Sequence, residues 1–147
     1  MMTQQCNSQQ IESFTQTVFK DGFCVLPNHF SQATLKDWYS ALVPRLDEHI
    51  EREGHLRNRG SSRYYVTLPF SDPFANPRIY EDETILAIVE QLVGTDFVMC
   101  QLATDTPLIG SEYQDVHRDT LPLFPETARE TPPYQLAVNF PLVDVTL

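Results

Sequence analysis

His117-Arg118-Asp119 places an imidazole and a carboxylate two positions apart, where a stretch of strand-forming character, Ser111 to Asp119, gives way to a proline-rich run. On an extended chain, side chains two apart project from one face, so an imidazole nitrogen and a carboxylate oxygen can converge on one metal ion. Such a pair supplies two of the three ligands of the two-histidine, one-carboxylate facial triad. That triad holds non-haem Fe(II) and leaves coordination positions open for oxygen and a co-substrate. No histidine follows Asp119 in this sequence. His29, His49 and His55 all precede the predicted strands. His29 reads as a turn residue, His49 as part of a solvated helix face beside Asp47, Glu48 and Glu51, and none of the three is expected to complete the site.

The elements that must carry this pair follow from periodicity. Ile11, Phe14 and Val18 recur at helical spacing over residues 9–20, and Asp21-Gly22 supplies a stop. Gly22 to Pro27 is a short β-rich run that predicts a strand. Leu35, Trp38, Leu42, Leu46 and Ile50 form a stripe that predicts a longer helix capped by Ser31, with a kink or break at Pro44, which lacks a backbone donor. After a polar loop over 54–60, Arg63 to Leu68 alternates as a strand does, and Pro69, Pro73 and Pro77 predict an irregular connection. Asp82 predicts the cap of a helix with Ile85, Ile88, Val89 and Leu92 on its inner face, ended by Gly94. Strands are predicted over 97–102, 112–119 and 134–140, the first two joined by a turn with Pro107 and Gly110. The long loop over 120–133 is placed to cover a pocket. Helices first and strands afterwards predict a mostly β or α+β domain with helices at its N-terminal side.

Composition bounds the function. The chain has 147 residues, of which 41% are hydrophobic, enough for one core in a single domain over 1–147. Twenty acidic against ten basic residues give a net charge of −10, which argues against wrapping nucleic acid or an anionic membrane. A small-molecule substrate or other neutral ligand, or a protein partner, is easier to accommodate. Cys6, Cys24 and Cys100 are odd in number and widely spaced, so they read as reduced thiols in a cytoplasmic setting rather than as a disulfide framework. The polar N-terminus has no secretion signal, and no apolar run reaches the roughly 20 residues of a membrane span.

Gly22-Phe-Cys-Val-Leu-Pro27 after a helix, Leu92-Val-Gly94 with Asp96, Gln114-Asp-Val-His-Arg-Asp119, and Leu136 to Asp144 with Leu142-Val-Asp-Val-Thr146 occur in an order spanning the chain. Together they resemble the phytanoyl-CoA dioxygenase family of Fe(II)- and 2-oxoglutarate-dependent oxygenases. The resemblance implies a mostly β fold with N-terminal helices, a partial double-stranded β-helix of jelly-roll or cupin type flanked by α-helices. It implies iron held by His117 and Asp119, 2-oxoglutarate as co-substrate, and hydroxylation of an unactivated C–H bond in a small organic substrate. The family's distal histidine and its 2-oxoglutarate-binding arginine have no counterpart here. Residues 1–147 are therefore expected to be an N-terminal portion, inactive alone.

Gln101, on the strand before the motif, and Asn139, within Leu136 to Phe140, are candidates for cofactor contacts, although the plainer reading of each is an ordinary polar strand position. Arg63, Tyr64 and Tyr65 serve either substrate capture or packing. Asp105 and Asp115 read as turn or surface acids. Two alternatives stay open: a noncatalytic cupin-like binding or interaction domain with a degenerate metal site, and a site completed by a second chain.

Overall fold

The computed structural model describes residues 5–53, 59–117, 119–127, 129 and 131–144. Their elements, in order, are α1 (Ser8–Asp21), α2 (Gln32–Glu53), β1 (Arg63–Thr67), α3 (Pro77–Tyr80), α4 (Glu83–Val93) and β2 (Ala103–Pro107), followed by one 3-10 turn at Pro125–Thr127. They fall into two compact units. One comprises Met1–Ser31, Pro77–Val98 and Arg118–Phe140; the other comprises Gln32–Asn76, Met99–His117 and Pro141–Leu147.

In the first unit, α1 packs against α4. α1 starts with a reciprocal cap that the sequence reading missed. The Asn7 side-chain carbonyl accepts from the Gln10 N–H at 2.9 Å, and the Gln10 side chain accepts from the Asn7 N–H at 3.0 Å. The two bonds satisfy donors that no helical carbonyl can reach. The helix stops at Gly22, whose φ of +84° a residue with a Cβ rarely adopts. Asp82 caps α4 as expected, accepting from the Ile85 N–H at 3.0 Å, and Gly94 ends it at a φ of +86°. Ile88 and Leu92 of α4 are buried, as are Thr15 of α1 and Thr84. Thr15 returns its hydroxyl to the Ile11 carbonyl at 3.0 Å, and Thr84 accepts from the Cys6 N–H at 3.2 Å. Both polar side chains are thereby buried without an orphaned group.

In the second unit, α2 packs on β1. Leu42 and Leu46 of the helix meet Val66, Leu68 and Phe74, with Ala41, Ile50, Tyr64, Leu102 and Leu142 packed around them. α2 starts directly after Ser31 and runs through Pro44, so the predicted break is not there. Pro44 and Ser40, whose carbonyl loses its helical donor, are both exposed residues, so the lost bond falls on the solvent side of the helix.

β1 and β2 form one antiparallel two-stranded sheet, with Tyr65 opposite Asp105 and Thr67 opposite Ala103. It is the one sheet among the described residues. The expected mostly β fold, a partial jelly-roll or cupin-like double-stranded β-helix, is therefore overturned: helices predominate, and two short strands do not make a roll. The residues predicted as strands over 22–27, 97–102, 112–119 and 134–140 have no regular strand structure where they are described. Their β-branched and aromatic composition favours a pleated surface only when a partner strand and a burying face are present. Val98, Tyr113 and Val116 have neither, being 82%, 101% and 106% exposed. The stretch that does pair, Ala103–Pro107, was predicted as a turn. No described helix is long and apolar enough to cross a membrane.

Candidate functional site

His117 ends an exposed stretch of the second unit, and Asp119 is an exposed residue in the segment of the first unit that follows. Arg118, between them, lies outside the described residues. The His117 Nδ1 is 2.6 Å from the backbone carbonyl oxygen of Asp115. A carbonyl only accepts, so Nδ1 is the donor in this bond. Metal-ligating histidines are held in just this way, with one ring nitrogen donating to a carbonyl while the other faces the metal. The sequence could not show that bond, because it depends on how the chain turns between 115 and 117.

By residue type alone, an imidazole and a carboxylate match two of the three protein ligands of a ferrous site. Among the described residues, no group of three His, Cys, Asp or Glu side chains is gathered to hold a metal ion. Gln101 is exposed ahead of β2, and Asn139 is exposed in irregular chain, so neither sits on a strand. His29 is committed elsewhere, its Nε2 bonded to the Asp82 carboxylate at 2.9 Å. His55 lies outside the described residues.

Arg63 is engaged within the sheet. Its Nε and one terminal nitrogen donate to the two Asp105 carboxylate oxygens at 2.9 and 2.8 Å, and that carboxylate pushes the already high value of the guanidinium further up. A two-pronged pair of this kind fixes orientation as well as charge. Asp105, read from sequence as a surface acid, thus ties β2 to β1. Arg63→Ala should lower stability by about 0.5–1 kcal/mol, the range for a half-exposed pair in good geometry. Urea denaturation of the variant checks this, and an unchanged midpoint would mean the bridge is ornamental.

Sequence reasoning also missed a cleft of about 330 Å³ in the second unit. It lies between α2 and the stretch Tyr65 to Pro69, with Arg45, Glu48, His49, Arg52 and Glu53 along the helical wall. His49 was expected on a solvated face and is instead buried, at 8% exposure, with its ring edge toward Tyr64 at 6.5 Å between centroids. The Arg52 guanidinium donates to the neighbouring Glu53 carboxylate at 2.9 Å and holds that acid below the usual range. Tyr65 carries the Arg59 guanidinium 4.4 Å above its ring.

Comparison of the chain with family models, with curated proteins and with solved structures finds no match.

Proposed function

We propose that this chain belongs to an Fe(II)- and 2-oxoglutarate-dependent dioxygenase of the phytanoyl-CoA dioxygenase type, which hydroxylates an unactivated C–H bond of a small organic substrate. His117 and Asp119 are its iron ligands. The observation that supports the reading is the His117 Nδ1 bond to the Asp115 carbonyl, the kind of contact that orients a metal-ligating imidazole, in a residue two positions before a carboxylate. The proposal stands on that motif and not on a barrel, which the fold of the described residues does not contain. Bound there, iron with its co-substrate supplies an oxidant strong enough for an aliphatic C–H bond. The chain's own part is to present one nitrogen and one oxygen and to leave the remaining positions open. Cys6, Cys24 and Cys100 are free thiols, which suits a reducing, cytoplasmic setting.

Two protein ligands hold a ferrous ion less firmly than three. Residues 1–147 should therefore bind Fe(II) saturably but weakly, with little 2-oxoglutarate decarboxylation. Anaerobic titration of Fe(II) tests this: His117→Ala and Asp119→Ala should each weaken binding by at least about ten-fold, the scale of losing a ligand or its support. Unsaturable binding, or saturation unchanged in both variants, would contradict the assignment. The second outcome would favour the noncatalytic reading, which draws on the exposure of both side chains.

A further inference from the structure

We infer that the free edge of β1, together with the adjoining wall of α2, docks an extended polypeptide segment of mixed charge as a third strand of the sheet. The inference goes beyond the ferrous reading and shares no residue with it.

The register identifies the free edge. The Leu68 N–H donates to the Leu102 carbonyl at 2.9 Å and the Leu108 N–H to the Ser62 carbonyl at 2.8 Å, so the even-numbered residues of β1 face β2 through their backbone groups. Tyr65 and Thr67, at the alternate positions, point their N–H and C=O away from β2, and these groups find no partner among the described residues. Pro107 sits at such an outward position on β2, where it blunts that strand's own outer edge. Among the described residues, β1 has no such protection within Arg63–Thr67.

The cleft described above runs along this unprotected edge. Successive strand residues point to opposite faces, so a cleft lined by every residue from Tyr65 to Pro69, and by none of β2, follows the rim of the strand rather than one of its faces. An incoming strand satisfies the backbone groups of Tyr65 and Thr67, which is the usual mode of recognition at a sheet edge.

The helical wall states the chemistry of the occupant. Arg45 stands near Glu48 at 3.5 Å and Arg52 against Glu53 at 2.9 Å, so both signs line the cleft and neither dominates. A segment bearing an acid and a base complements such a wall, whereas a polyanion or a polycation meets a like charge at each step. Between these pairs lies His49, nine-tenths buried. Its Nδ1 accepts from Arg52 at 3.4 Å, and its Nε2 has no partner. No fully buried side-chain polar atom among the described residues goes without one, so Nε2 must be reached by solvent. It offers one more polar contact to a side chain in the cleft.

The probe is the fluorescently labelled peptide Lys-Thr-Val-Glu-Thr-Val-Lys-Thr-Glu, titrated with the full chain and read by anisotropy. Saturable binding is expected. Thr67→Pro removes one outward N–H without touching the bonds to β2, and should weaken binding roughly ten-fold, the worth of a backbone hydrogen bond. Replacing the peptide's charged residues by serine should weaken it roughly five-fold. Arg45→Gln combined with Arg52→Gln, two exposed side chains, gives the same loss and serves where the proline variant does not fold. Absence of saturation overturns the inference, as does equal affinity for the charged and serine peptides. Sedimentation showing a dimer that Thr67→Pro dissociates also overturns it, by putting a second copy of this chain on the edge.

Discussion

Phe74→Ala should destabilise the second unit by about 3–5 kcal/mol, the usual cost of deleting a buried phenylalanine side chain. The ring is 5% exposed and belongs to the cluster of Leu42, Leu46, Val66 and Leu68, where helix and sheet meet. The chain turns in order to place it there: the N–H groups of Phe74 and Ala75 both donate to the Ser71 carbonyl at 2.9 Å. That turn is fixed by its own hydrogen bonds, so its backbone cannot simply sink into the void, and the cavity term adds to the lost transfer energy. Phe70 is the control. It lies four residues earlier and is 56% exposed, so Phe70→Ala should move stability by no more than about 0.5 kcal/mol. Urea denaturation followed by far-UV circular dichroism measures both, and equal losses at 70 and 74 would show that the cluster is not the core of its unit.

What could be read in the sequence was what neighbouring residues determine. α1, α2 and α4 lie close to where the stripes of Ile11, Leu42 and Ile88 put them, and Asp82 and Gly94 bound α4 through groups within one turn of the chain. β1 was legible because Tyr64, Val66 and Leu68 alternate with residues that face outward. β2 was not, because its case is made at long range: Thr104 and Thr106 carry no apolar alternation, and the anchoring of Asp105 by Arg63 joins residues 42 positions apart. His49 shows two local signals in conflict. It lies seven residues after Leu42, on the buried stripe, while Asp47, Glu48 and Glu51 suggested a solvated face, and the helical period decided the outcome. At the candidate metal site, the sequence disclosed the types and spacing of His117 and Asp119. The Nδ1 contact of His117 needed the carbonyl of Asp115, and the strand placement foreseen for Gln101 and Asn139 failed for want of partner strands.

Asp82→Ala should cost the first unit about 2–4 kcal/mol, because one carboxylate serves two purposes there. Its Oδ1 accepts from the Ile85 N–H at 3.0 Å, which is the cap visible in the sequence. Its Oδ2 is bonded at 2.9 Å to the Nε2 of His29, which lies 53 positions earlier and had been read as a turn residue. Both side chains are buried, at 6% and 8% exposure, so solvent cannot replace either bond cheaply. Losing the cap contributes about 1 kcal/mol, and the orphaned imidazole contributes about 1–3 kcal/mol more. Asp82→Asn separates the two contributions, since the amide oxygen still caps α4 while its NH₂ group can face His29 only as a donor, and it should lose less than the alanine variant. The decisive measurement is the double variant of Asp82→Ala with His29→Ala. If the pair acts as a unit, the double loss falls short of the summed single losses by 1 kcal/mol or so; additivity to within about 0.5 kcal/mol would show that the two residues are neighbours without coupling.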